Sequence, residues 1–120
     1  MLERRKFVRI PENSQISYEI LSELKARDYL TRDISQGGIR FFVHEFIRRK
    51  SILKIRLTLA KTAFYFEALV KVAWLREDTL SERYEVGVGF VNIPRNATEH
   101  LIDYIRSVLK SFNPNNNNHT

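Results

Sequence analysis

From Leu53 to Leu59 the chain alternates without a break: Leu53-Lys54-Ile55-Arg56-Leu57-Thr58-Leu59. Odd positions are apolar and even positions polar. A period of two places successive side chains on opposite faces of a pleated strand, so this segment is a strand with one buried face. The pattern recurs. From Phe64 to Trp74 the even positions read Phe, Phe, Ala, Val, Val, Trp, while the odd ones include Glu67 and Lys71. Tyr84, Val86, Val88 and Phe90 repeat it, with Gly87 and Gly89 on the opposite parity, where a missing side chain lets another element approach closely. Shorter strands are predicted over Ile16 to Ile20, Tyr29 to Ile34 and Ile39 to Val43. Between the last two, Gly37-Gly38 predicts a turn that needs positive φ.

About six strands at these spacings suit antiparallel pairing. The predicted fold class is mainly β: a six-stranded antiparallel β-barrel, whose closure removes exposed edges, with a C-terminal α-helix. The helix is announced by a change of period. Pro94 ends the last strand, and Asn96 with Glu99 resembles an N-terminal capping pair. Leu101, Ile105, Val108, Leu109 and Phe112 then follow at helical spacing, so an amphipathic helix from Ala97 to Ser111 is predicted to cover an open face of the barrel. Asn113-Pro114 stops it. The predicted domain occupies residues 1–112, with a basic arm over 1–10, and residues 113–120 read as a disordered Asn-rich tail.

The length of 120 residues allows one such domain. Absence of cysteine excludes disulfide, thiolate-metal and thiol redox chemistry. Charges interrupt every apolar run, so no membrane insertion is expected. Met1-Leu2-Glu3-Arg4-Arg5-Lys6 is not followed by the apolar core of a secretory signal, and a cytoplasmic location is expected. Twenty Lys and Arg against 14 Asp and Glu leave a net charge of +6, which favours an anionic partner. The cations cluster in two places, Arg4-Arg5-Lys6 with Arg9, and Arg48-Arg49-Lys50. The second cluster is equally well read as a solvated turn.

No catalytic set assembles. His44, His100 and His119 have no metal-ligand spacing to each other or to an acid. Ser35 lacks a Gly-x-Ser-x-Gly context. Gly87-Val88-Gly89 lies inside a strand, not at a phosphate-binding turn into a helix. Glu77-Asp78 reads as a polar hairpin loop, and Asn96-Ala97-Thr98 is a glycosylation sequon only in a secreted chain. Neither an enzyme nor a cofactor is expected.

Two segments do form a constellation: Arg5-Lys6-Phe7-Val8-Arg9, preceded by Arg4, and Asp33-Ile34-Ser35-Gln36-Gly37-Gly38. Here the sequence resembles the PilZ domain, whose signatures are Arg-x-x-x-Arg on an N-terminal loop and Asp/Asn-x-Ser-x-x-Gly on the barrel. The resemblance extends from Arg4 to about Leu109. It includes the Ile39-Arg40-Phe41 strand, the Gly87-Val88-Gly89-Phe90 strand and the closing helix. It implies a non-catalytic receptor for the bacterial second messenger cyclic di-GMP, acting on an unidentified effector protein in motility, exopolysaccharide, adhesion or virulence control.

The residue chemistry agrees. Arginine can fork onto a phosphate or onto guanine O6 and N7 with two parallel hydrogen bonds. A carboxylate can accept from guanine N1–H and N2–H. The resemblance therefore assigns Arg5 and Arg9 to phosphate and Hoogsteen contacts, and Asp33, Ser35 and Gly38 to the other guanine edge. Arg4, just before the first motif, is compatible with a stacked pair of ligands. The arm would order on the barrel when ligand binds.

Two other readings compete. One is a small basic barrel binding single-stranded nucleic acid, with Tyr29, Phe42 or Tyr65 as stacking platforms if exposed, although DNA is not an expected partner. The other is a PilZ-like interaction module without ligand. On any of these readings the domain is expected to be a monomer or a weak homodimer, the latter if Ile102 or Tyr104 is exposed on the helix.

Overall fold

The computed structural model describes residues 8–11, 13–20, 26–60, 62 and 64–111. Seven strands precede one helix: β1 (Arg9–Pro11), β2 (Gln15–Ile20), β3 (Ala26–Ser35), β4 (Gly38–Val43), β5 (Ile52–Thr58), β6 (Tyr65–Asp78), β7 (Arg83–Asn92) and α1 (Arg95–Ser111). All pairings are antiparallel, in the order β1-β3-β2-β5-β6-β7-β4. The sheet curls until β4 also meets β3, at Thr31 to Ile34 with a bulge after Thr31. Residues 26–30 of β3 pair with β2 alone. The curled sheet is thus seamed over part of β3 rather than closed along its length.

The alternation decides the faces. Leu53, Ile55 and Leu57 on β5 are buried while Lys54 and Arg56 between them are exposed. The same inner surface takes Ile34, Ile39, Phe41, Val43, Val70, Val72, Val86 and Val88. Ala97, Leu101, Tyr104, Ile105 and Val108 of α1 complete that core, and the helix packs against β1, whose Ile10 is fully buried. Each apolar side chain so enclosed contributes about 1.5–3 kcal/mol.

Five expectations need correction. A seventh strand, β1, is built from the end of the basic arm; its three residues are too few to show a period. No described glycine has positive φ, so Gly37 and Gly38 serve the β3–β4 turn in another way, described below. The helix starts at Arg95, before Asn96, and the Pro94 carbonyl accepts its first backbone hydrogen bond, from Thr98 N–H at 3.1 Å. Asn96 thus lies inside the first turn rather than at the N-cap. Tyr104 is buried against the core, so it offers no surface for a dimer. Glu77 and Asp78 finish β6 rather than forming a loop, and Asp78 pairs with Arg83 across the hairpin at 3.3 Å. The tail over 113–120 and most of the arm lie outside the described residues. Among the described residues no helix is long and apolar enough to cross a membrane.

Candidate functional site

Strand register brings Arg9 to the second motif. Arg9 on β1 lies opposite Ser35 on β3, and Asp33 on β3 lies opposite Arg40 on β4. Continuing across the sheet, Arg40 faces Gly87 on β7, and Gly87 faces Trp74 on β6. One row of the outer face therefore reads Asp33, Arg40, Gly87, Trp74. Two residues along, the next row holds Ser35, then Gly38 opposite Gly89, then Lys71. Gly89 leaves a notch in this face, between the Arg40 guanidinium on one side and the Trp74 indole on the other. Arg9, Ser35, Gly37, Gly38, Arg40 and Trp74 line the resulting cleft of about 330 Å³.

Asp33 stands behind this cleft rather than in it. It is 4% exposed, and both oxygens are engaged. Arg9 Nη1 donates to Oδ1 at 2.9 Å, and Arg40 Nε donates to Oδ2 at 2.7 Å, with Arg40 Nη2 bonded to the same oxygen. Two cations around one buried carboxylate satisfy it and fix the heads of both arginines. The hydrogen bond to Asp33 raises the Arg40 pKa, against the opposing effect of burial, so Arg40 carries its charge at every physiological pH.

Ser35 satisfies its own turn. Its hydroxyl accepts from Gly37 N–H and Gly38 N–H, each at 3.1 Å, and can donate to the Gly38 carbonyl at 3.3 Å. Gly37 in turn accepts from Phe90 N–H at 3.0 Å, which ties the turn to β7. Gly38 is required by proximity, not by dihedral angle: a Cβ there would lie 2.1 Å from the Val88 carbonyl oxygen. At Gly87 a Cβ would lie 2.4–2.6 Å from the Trp74 indole. Gly89 differs, its nearest such neighbour being the Gly37 oxygen at 3.8 Å.

Of the six expected residues, Arg9, Ser35 and Gly38 line the cleft, Asp33 braces it, and Arg4 and Arg5 lie outside the described residues. Two members escaped the sequence. Arg40 shares the parity of Gly38 and could have been found that way. Trp74 could not: the register shifts between Val72 and Trp74, so the strand turns its indole out of the core series and into the cleft.

Beyond the cleft the same outer face carries a second ionic group. Glu85, 3% exposed, receives hydrogen bonds from Arg32 and Arg76. Arg76 also lies 5.6 Å from the Trp74 ring centre, so Glu85 bears indirectly on the cleft wall. Burial opposes ionisation of Glu85 most strongly, but the bonds from Arg76 and Arg32 outweigh it and hold the carboxyl below its ordinary value of 4.5. A lowered folded pKa contributes stability above the unfolded value, which is lost as pH falls through the folded one. Glu85→Gln is expected to cost about 1–2 kcal/mol at pH 7, much of the pair energy being screened at the exposed arginines. In urea titrations at several pH values, the gap between variant and wild type should close as pH falls below 4.5. A gap independent of pH would show that the Glu85 charge contributes nothing.

The aromatic platforms needed by a single-strand-binding barrel are mostly engaged. Phe42 lies under the Arg83 guanidinium at 3.6 Å and Tyr29 stacks on Tyr18 at 5.7 Å, while Tyr65 is exposed with Arg56 over it at 4.2 Å.

The fold is shared with known proteins. No curated protein matches the chain in sequence. Among solved structures, the chain superimposes on the Bacillus subtilis inhibitor of motility (MotI/DgrA) with a TM-score of 0.79 and 20% identity, covering 91% of this chain and 53% of that one. Escherichia coli YcgR in complex with c-di-GMP gives 0.78 and 13%, covering 97% and 50%. The PilZ domain of YcgR with c-di-GMP gives 0.72 and 14%, covering 97% and 99%. The chain therefore spans about half the length of the first two proteins and all but the whole of the isolated domain. The family described as PilZ domain matches residues 3–107, and the chain belongs to the PilZ domain family.

Proposed function

We propose that the chain is a non-catalytic receptor for cyclic di-GMP. The observation that carries this reading is the convergence of Arg9, Ser35 and Gly38, from two distant motifs, on one cleft flanked by Arg40 and Trp74. The c-di-GMP complexes of YcgR, which share the fold, support the choice of ligand.

Each group has a task. Arg9 forks onto a phosphate or onto guanine O6 and N7. The glycine notch lets the flat, anionic ligand approach the backbone, and the Trp74 ring offers a base its π-face. Arg9 cannot serve both Asp33 and a ligand with the same N–H groups. When Arg9 turns to the ligand, Oδ1 of Asp33 is released to accept from guanine N1–H and N2–H, while Arg40 retains Oδ2. Asp33 is then a latch in the free protein and a base reader in the complex. Arg4 and Arg5, on the arm that leads into β1, bring further cations over the phosphates, and the arm orders on the barrel at the cost of its conformational entropy. The reshaped surface engages an effector protein in the cytoplasm.

The test is isothermal titration calorimetry of cyclic di-GMP into the full chain, with GTP and a short single-stranded RNA as controls. Saturable binding at micromolar concentration or tighter, specific to cyclic di-GMP, is the expected result. Arg5→Ala and Asp33→Ala should each weaken it at least tenfold. Unchanged affinity in both variants would overturn the mechanism.

A further inference from the structure

The second basic cluster of the sequence has a defined place. Arg48 to Ser51 form the turn into β5, and backbone hydrogen bonds fasten it. Ser51 N–H donates to the Arg48 carbonyl at 3.1 Å, Lys50 N–H to the Val72 carbonyl at 2.8 Å, and Val72 N–H to the Ser51 carbonyl at 2.9 Å. Val72 borders the bulge that turns Trp74 outward, so the basic turn and the bulge are one hydrogen-bonded unit. Lys50 has φ of 75°, a left-handed conformation that disfavours any residue with a Cβ. Glycine would fit there freely, yet a lysine occupies it.

Arg49, Lys50 and Lys71 surround a cleft of about 400 Å³ backed by Val72, Phe90 and Val91. All three cations are exposed, and among the described residues none has a carboxylate partner. Ala73 and Gly89 line both this cleft and the one between Arg9 and Trp74. The two clefts therefore adjoin at these two small residues. Each alone lies near the lower end of the range of about 300–1,000 Å³ typical of ligand pockets.

We propose that the cleft of Arg49, Lys50 and Lys71 is a second phosphate-binding subsite, continuous with the motif cleft across Ala73 and Gly89. The inference rests on the cyclic di-GMP reading and extends it. The motif residues hold one end of the bound nucleotide, and the three cations receive a phosphate beyond the glycine notch. Lys71 and Lys50 act as point charges and Arg49 as a fork. The apolar wall of Phe90 and Val91 excludes water from one side and strengthens the attraction.

The test combines two variants of the full chain. Arg49→Ala with Lys71→Ala removes two exposed charges and should weaken cyclic di-GMP at least tenfold in calorimetry, with a shallower dependence on salt. Lys50→Gly should weaken it about threefold or more while leaving Tm unchanged or raised by up to about 5 °C, because glycine relieves the left-handed backbone. Loss of affinity without loss of stability cannot come from misfolding. If the wild type binds cyclic di-GMP and both variants bind within twofold of it, the subsite is wrong. If the wild type does not bind, the receptor reading fails, and the subsite is judged with inorganic tripolyphosphate by NMR. Amide shifts at Lys50, Lys71 and Gly89 that vanish in the double variant would sustain it, and their absence would overturn it.

Discussion

Gly38→Ala should lower the thermal midpoint by about 10 °C or more, the largest stability effect of any single methyl group at the site. The added Cβ would meet the Val88 carbonyl oxygen at 2.1 Å, with the Val88 carbon and Gly89 Cα close behind at 3.1 and 3.2 Å. All three are backbone atoms, so no side chain can rotate away. Relief requires β4 to separate from β7 at the Gly38–Gly89 pair, and Ser35 holds Gly38 N–H in the same turn. Overpacking against backbone costs about 3 kcal/mol or more where it cannot relax. Gly89→Ala is the matched control. It lies directly opposite, and its Cβ would meet only ordinary contact at 3.8 Å. That variant should fold within about 1 kcal/mol of wild type, with its chain entropy in the unfolded state reduced. It places a methyl group in the notch shared by both clefts, however, and should weaken ligand binding. Equal melting temperatures for the two variants would show that close approach is not what glycine supplies at position 38.

The contrast between the two glycines marks what the sequence could and could not show. The alternation from Leu53 to Leu59 placed β5 and its buried face within one residue, because burial of one face follows directly from a period of two. Arg9, Ser35 and Gly38 are legible as motif residues, and their convergence follows from the β1–β3 and β3–β4 registers. Trp74 was counted with the core series because one extra residue at Ala73 reverses parity, and a bulge leaves no mark in a hydrophobic pattern. β1 was hidden for a different reason: with three residues and a proline, it owes its pairing to the partner strand rather than to its own propensity. The turn at Gly37 and Gly38 was located correctly but explained wrongly. A glycine needed for positive φ and one needed for a neighbour's carbonyl look alike in sequence, and only tertiary packing separates them.

Arg9→Lys should weaken cyclic di-GMP at least tenfold although it conserves charge, and Arg9→Ala should weaken it about a hundredfold. The difference tests geometry against electrostatics. A lysine ammonium can still approach Asp33 and still attracts a phosphate, but it cannot place two parallel N–H groups on a phosphate or on a guanine Hoogsteen edge. Each tenfold step corresponds to about 1.4 kcal/mol, the size expected for one charge-assisted hydrogen bond. Stability should move much less. Arg40 keeps its own bonds to Asp33 when Arg9 is changed, so the buried carboxylate is never left without a cation. The Arg9 side chain is 22% exposed in its pair with Asp33, which limits the loss to about 1 kcal/mol in either variant. Salt separates the two further. Arg9→Lys should retain the wild-type dependence of affinity on ionic strength, because the number of charges is unchanged, whereas Arg9→Ala should flatten it. If Arg9→Lys binds within twofold of wild type, the arginine serves only as a charge. The exchange at Asp33 Oδ1 would then lose its reason, since a lysine with three rotatable donors could hold the carboxylate and a phosphate at once.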